Sequence, residues 1–214
     1  MKKNIFNGPQ LCISIAKRPG LYGTTIHNAG YQALGLNFFY KAFGTNDLEG
    51  AIHGVRALGI RGCSVSMPFK EKVIPLLDEL DILAKKSQAV NTIVNENGSL
   101  IGYNTDVVGI KQCLQPLKIQ KKKKILLLGS GGISRAFLVA LRNLKLNDII
   151  ITNRTLKKSQ TLAKEFDTDF IKWSERNNFN ADMIINATSV GMSPNDNLMP
   201  ISENQIRNTE ILMD

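Results

Sequence analysis

Two rhythms alternate along the chain. Short unbroken apolar runs give way to stretches whose apolar residues fall three and four apart, and then the runs return. The first pattern suits a strand buried on both faces, the second an amphipathic helix. In the first half this predicts strands at 11–15, 36–42 and 62–66, with helices at 25–34 and 47–58 between them. Leu48, Ala51, Ile52, Val55 and Leu58 share one face of the second helix; Asp47 or Asn46 can cap its start, and Gly59 stops it. Pro68 is placed to open a further helix, where its missing N–H does no harm. Runs at 91–94 and 100–103 flank Asn95-Glu96-Asn97-Gly98, a hairpin turn signal. The alternation predicts an α/β fold with a mainly parallel sheet.

The second half opens on a helix at 107–117 and a charged break at 120–124. A strand at 125–128, a helix at 133–144, a strand at 149–152 and a helix at 157–166 follow, then strands at 170–172, 183–186 and 211–213. The chain therefore divides into 1–106 and 107–214, with no internal repeat. Its last strand runs into Asp214, so the second, doubly wound domain is expected to be incomplete at its C-terminus.

The strand at 125–128 leads into Gly129-Ser130-Gly131-Gly132-Ile133 and the next helix. Strand, glycine turn and helix make a dinucleotide-binding unit, in which a phosphate meets backbone N–H groups at the helix N-terminus. The spacing Gly129-x-Gly131-Gly132-x-Ser134 ends on serine, still small enough for close helix–strand packing. At the end of the next strand an NAD-binding protein usually places Asp or Glu for the ribose hydroxyls. Here the chain has Asn153-Arg154-Thr155, with Lys157 and Lys158 close behind. Cations there suit the 2′-phosphate of NADP, with Arg154, Thr155 and Lys158 as its contacts. Plainer readings exist: glycines that serve only a strand–helix turn, and a solvated surface arginine. The flanking elements and Asn-Arg-Thr together favour the cofactor.

Charge and cysteine content narrow the function classes. The net charge of +9 would admit nucleic acid, but the excess sits in short clusters, chiefly Lys121–Lys124 and Lys157-Lys158, with no aromatic residues interleaved. The first cluster reads as a solvated entry to a strand, and anionic small molecules are the better partner for the rest. Cys12, Cys63 and Cys113 are odd in number and widely spaced, so they read as reduced, small core hydrophobes of a cytoplasmic protein. With two histidines no metal set is expected, and no apolar run suits a signal peptide or a membrane span.

Several motifs in order then resemble the shikimate dehydrogenase family, including its shikimate-dehydrogenase-like branch. They are Ser64-Val65-Ser66-Met67-Pro68-Phe69-Lys70, Ala89-Val90-Asn91-Thr92 and Gly102-Tyr103-Asn104-Thr105-Asp106. The glycine loop, Asn153-Arg154-Thr155 and Asn186-Ala187-Thr188-Ser189-Val190-Gly191-Met192 continue the series. The resemblance implies an N-terminal substrate-binding α/β domain and a Rossmann-type NADP-binding domain. It implies NADP-dependent interconversion of 3-dehydroshikimate and shikimate, a step toward chorismate and the aromatic amino acids, by a monomer or homodimer. Lys70 and Asp106 match the family's catalytic Lys and Asp, Asn91 its substrate-binding Asn, and Thr188 and Ser189 fall in a cofactor-side motif. The chemistry agrees. Reducing a ketone needs hydride from a nicotinamide and a proton for the developing alkoxide, which a positioned Lys can give while a carboxylate holds the substrate hydroxyl. Taken singly, Lys70 would be a solvated lysine, Asp106 a helix cap and Asn91 a turn residue.

The chain departs from the family pattern in three places. The family's Ser-x-Ser-Pro, which holds the substrate carboxylate, is Ser14-Ile15-Ala16-Lys17 here, so Ser14 survives and Ala16 has no hydroxyl. That can weaken or alter acid recognition unless Lys17 or Arg18 compensates. Ser66 stands where the family commonly has Thr, with the hydroxyl kept. His27-Asn28 still matches, with the histidine read as structural. The family's C-terminal segment, which supplies a substrate-binding Gln, is absent, so the chain is expected to be less stable than an extended form and to show little or no activity. Two alternatives follow: a truncated, binding-only or inactive homologue, or a dehydrogenase for a related cyclic hydroxy acid such as quinate.

Overall fold

The computed structural model describes residues 8–193 and 196–214, which form two compact units dividing between Thr105 and Asp106. The first unit runs β1 (Gln10–Ala16), α1 (Tyr22–Ala33), β2 (Phe38–Gly44), α2 (Leu48–Ala57) and β3 (Gly62–Val65). It continues with β4 (Glu79–Leu80), α3 (Ile82–Ser87), β5 (Thr92–Glu96) and β6 (Ser99–Tyr103), and α4 (Thr105–Leu114) spans the division. Its six strands lie in the order β2-β1-β3-β5-β6-β4. β1 is parallel to both β2 and β3, but β5 is antiparallel to β3 and β6. The sheet is therefore mixed where the alternation predicts it mainly parallel. The turn at 97–98 explains the β5–β6 pair. Asn97 and Gly98 take positive φ values of 56° and 98°, and the Asn95 side chain accepts from the Gly98 N–H at 2.8 Å. That builds a two-residue hairpin, which only antiparallel strands can share.

Apolar side chains of β1, α2, β3 and β5 form one core, among them Ile13, Ile15, Ile52, Val55, Val65 and Ile93. α2 starts where Asp47 accepts from the Gly50 N–H at 2.8 Å, which decides between the two candidate caps. α1 is tied to β2 by Asn28, whose amide donates to the Tyr40 carbonyl at 2.9 Å and accepts from the Tyr40 N–H at 2.8 Å. His27 stacks on the Tyr40 ring with centroids 4.3 Å apart, a packing role. Pro68 opens no helix; residues 67–73 are turns, with a cis Met67–Pro68 bond, and a short 3-10 turn follows at Ile74–Leu76. The Lys70 carbonyl accepts from the Val90 N–H at 2.7 Å, so it is lost to a helical ladder. α3 has only six residues, too few to show a period, and is capped by Asp81, whose carboxylate accepts from Leu83 and Ala84 N–H.

The second unit holds β7 (Ile125–Leu128), α5 (Gly132–Asn143), β8 (Ile149–Asn153), α6 (Leu156–Glu165) and β9 (Asp169–Lys172). β10 (Met183–Asn186), α7 (Glu203–Arg207) and β11 (Ile211–Met213) complete its described elements. The sheet is all parallel in the order β11-β10-β7-β8-β9. Read from the other edge this is third, second, first, fourth, fifth, the Rossmann order, with its switch point between β7 and β10. Every β7 residue is buried, as the unbroken run Ile-Leu-Leu-Leu requires. Arg135, 8% exposed, ties α5 to α6 through Glu165 at 2.6 Å.

The lysine cluster before β7 is more than a solvated entry. Lys123 reaches Asp182 at 3.1 Å and Glu210 at 2.6 Å, and the Asp182 carboxylate also accepts from the Lys124 N–H at 2.7 Å. The entries to β7, β10 and β11 are thereby joined. The Lys124 N–H, and then Lys123, hold the Asp182 carboxyl below its usual value of 3.8. A lowered folded-state pKa stabilises the fold above the unfolded value, and that stabilisation is lost as pH falls through the lowered one. Asp182→Asn should therefore lower Tm at pH 7, and its gap to the parent protein should close as both are acidified below the ordinary carboxylate pKa of about 3.9. Melting curves across that range check this; a gap that stays constant with pH contradicts it.

The cysteines differ from their sequence reading in one respect. Cys63 is buried, and burial pushes its thiol up to about 12, but Cys12 is half-buried and Cys113 exposed. Cys113 falls on the solvent side of α4, whose buried positions are Val107, Ile110 and Leu114. No helix among the described residues is long and apolar enough to cross a membrane.

Candidate active site

In the first unit, the matched residues gather where β1 and β3 end. Ser14 lies in β1 opposite Ser64 of β3, and the Ser66 N–H donates to the Ile15 carbonyl at 2.9 Å. Ser66 therefore continues beside β1 after β3 has stopped. The Lys17 N–H returns a bond to the Met67 carbonyl at 3.1 Å, and the Phe69 N–H closes a turn on the Ser66 carbonyl at 2.9 Å. Phe69 is sunk into the core, and this anchor sets the half-buried Lys70 next to it. The Lys70 carbonyl then bonds Val90, and the Asn91 carbonyl accepts from the Val65 N–H at 2.7 Å. Ser66, Lys70 and Asn91 thus lie on adjoining segments although they are distant in sequence. Ala16 is buried, at 6% exposure.

The Asn91 side chain is held firmly. Its carbonyl oxygen accepts from the Thr105 N–H at 2.9 Å and the Thr92 hydroxyl at 3.0 Å, and its amide donates to the Thr105 hydroxyl at 2.8 Å. Thr105 is a site residue that the residue-by-residue reading passes over. It stands inside Gly102-Tyr103-Asn104-Thr105-Asp106, and that motif is the signal for it. Asn104 anchors the same segment from below, donating to the Ser87 hydroxyl and the Ala89 carbonyl at 2.9 Å each. Asp106, half-buried, follows in the first turn of α4.

In the second unit the glycine loop lies at the carboxyl end of β7, beside β10. Gly129 has φ +110°, and a Cβ there would sit 2.6 Å from the Ala187 carbonyl oxygen, so only glycine fits. Ser134 is fully buried, its hydroxyl 3.3 Å from that same Cβ position, the close helix–strand approach its small size allows. Gly131 is different. It is the N-cap of α5 with φ −95° and ψ −172°, a backbone open to any residue, and nothing among the described residues lies within 4 Å of its Cβ position. The protein alone does not demand glycine there. A phosphate seated on the N-terminus of α5 would, and Ser130, Gly132 and Ile133 flank that position. The donor set fits a dinucleotide pyrophosphate.

At the end of β8 the Asn153 side chain donates to the Thr155 carbonyl at 3.1 Å, and the Lys158 N–H reaches the same carbonyl at 2.9 Å. Arg154, Thr155 and Lys158 are all exposed around the start of α6. Arginine and lysine thus flank a helix N-terminus, the chemistry that takes a phosphate monoester. Thr188, half-buried, and Ser189, exposed, lie on the turn after β10.

Residues 23–93 match the model of the shikimate dehydrogenase substrate binding domain, and residues 112–206 match that of shikimate / quinate 5-dehydrogenase. A shikimate dehydrogenase-like protein of Haemophilus influenzae is 48% identical over 86% of this chain and 67% of its own. A shikimate dehydrogenase (NADP(+)) of Caldanaerobacter subterraneus is 40% identical over 88% of this chain and 71% of its own. The Thermus thermophilus shikimate 5-dehydrogenase, solved with NADP(H) and shikimate, superposes with a TM-score of 0.79 at 29% identity, covering 92% of this chain and 74% of that one.

Proposed function

The chain belongs to the shikimate dehydrogenase family, and from that premise we propose that it is an NADP-dependent oxidoreductase interconverting 3-dehydroshikimate and shikimate, in the pathway to chorismate and the aromatic amino acids. The observation that carries the reading is the convergence of Ser66, Lys70 and Asn91 on adjoining segments at one end of the first sheet. Family motifs far apart in sequence meet there with a lysine among them.

In this reading Ser14, Ser66 and Asn91 bind the polar groups of the substrate ring. Thr105 fixes the Asn91 amide, so that it offers one orientation to the ligand. Lys70 gives a proton to the forming alkoxide, or accepts it in the reverse direction, and its charge stabilises the oxyanion. Asp106 supplies the carboxylate for a substrate hydroxyl. NADP, when bound, exchanges hydride with the ring carbon. Gly129, Ser130, Gly131, Gly132 and Ile133 would hold its pyrophosphate, Asn153, Arg154, Thr155 and Lys158 its 2′-phosphate end, and Thr188 and Ser189 the turn beside it. The free cysteines fit a reducing cytoplasm.

A dehydrogenase for a related acid such as quinate is the second reading, and Ala16 is what favours it, since a hydroxyl that reads the acid is missing. A steady-state assay with shikimate and quinate, each with NADP and NAD, alongside a binding titration, separates the readings. Faster NADP-linked oxidation of shikimate is expected. Preference for quinate supports the second reading. NADP binding without turnover identifies a binding-only homologue, and no binding at all refutes the cofactor assignment.

A further inference from the structure

Asn186 ends β10, and its side chain uses its full hydrogen-bonding capacity. Its carbonyl oxygen accepts from the Thr188 N–H at 3.1 Å and the Thr188 hydroxyl at 2.7 Å. Its amide donates to the Val190 carbonyl at 3.1 Å and to the Asp214 carboxylate beyond β11. Two donors and two lone pairs are all that such an amide has. The Thr188 hydroxyl adds a bond from the Val190 N–H at 3.1 Å, closing the network around residues 186–190. The turn so fixed touches the glycine loop from behind. The Ala187 N–H donates to the Leu128 carbonyl at 2.8 Å, and the Ala187 carbonyl oxygen occupies the space a Gly129 side chain would need.

We propose that Asn186 is a positioning residue for cofactor binding. It sets the turn carrying Thr188 and Ser189 and, through Ala187, the position of the glycine loop; the cofactor part of this rests on the NADP reading above. No other side chain replaces it. Leucine offers no polar group. Aspartate keeps the acceptor, loses both donors and brings a second carboxylate against Asp214, where like charges repel.

That repulsion supplies the test. The variants are Asn186→Asp and the exchange pair Asn186→Asp with Asp214→Asn, which restores an amide donor facing a carboxylate. Two measurements are made: hydrogen exchange of the turn at 186–190 without cofactor, and NADP affinity by titration. Asn186→Asp should speed exchange in the turn and weaken NADP binding by about tenfold or more, the loss expected when a half-buried amide's partners go unpaired. The exchange pair should recover most of both, since only the bond to Val190 stays broken. If Asn186→Asp alone fails to fold, the exchange pair carries the test: it must fold and bind NADP close to the parent level. Unchanged exchange in the turn overturns the proposal, as does a loosened turn with unchanged NADP affinity. If the turn loosens but the parent protein does not bind NADP, Asn186 still sets the turn, while its cofactor role falls together with the NADP reading.

Discussion

Lys70→Ala is expected to lower kcat for shikimate oxidation by about 10²–10⁴-fold, the usual contribution of a general acid/base, and to leave NADP affinity nearly unchanged. The geometry makes this a clean experiment. What fixes the turn is the Lys70 carbonyl, which bonds the Val90 N–H, together with the Phe69 side chain in the core. Neither of these anchors depends on the lysine side chain, and a melting curve of the variant separates any loss of fold from loss of catalysis. Asp106→Asn should lower kcat in a similar way, because the amide keeps the shape and loses the charge. Steady-state kinetics with a parallel cofactor titration decides the matter. A Lys70→Ala variant with parental kcat would make Lys70 an ordinary surface lysine.

Arg154→Ala is expected to weaken NADP binding by about 1.5–3 kcal/mol, the range for a hydrogen bond to a charged group. That corresponds to roughly 10- to 150-fold in Kd. NAD has no 2′-phosphate, so its affinity should change little. Again the backbone is set by other groups: the Asn153 side chain and the Lys158 N–H hold the Thr155 carbonyl. Lys158 and Thr155 remain in the variant, so some preference for NADP should persist. Titrations with both cofactors check this, and equal losses for the two would remove Arg154 from the 2′-phosphate site.

Much of this architecture was legible because burial imposes a period. β7 is an unbroken apolar run since both its faces are covered, and α2 shows its stripe because one face meets the core. Strand direction was not legible at β3 and β5, because a half-buried strand reads the same either way. The false helix at Pro68 came from a local rule overruled by the distant Val90. The role of Lys123 was hidden for the same reason: its partner Asp182 is 59 residues away and Glu210 is 87 away. At the site, motifs point to Ser66, Lys70 and Asn91 directly. Thr105 holding Asn91, and Asn186 bonded to Asp214, are pairings across 14 and 28 residues that no local pattern records.

The first two glycines of the phosphate loop are held by different constraints. Position 129 is closed by the protein's own backbone, since Ala187 fills the space. Any lineage that keeps the fold must keep that glycine, whatever its chemistry has become. Position 131 is closed by nothing among the described residues. The fold leaves room for a side chain there, and only a phosphate on the α5 N-terminus would need that room. Residue 131 therefore answers to a bound phosphate, while residue 129 answers to the packing of the sheet itself.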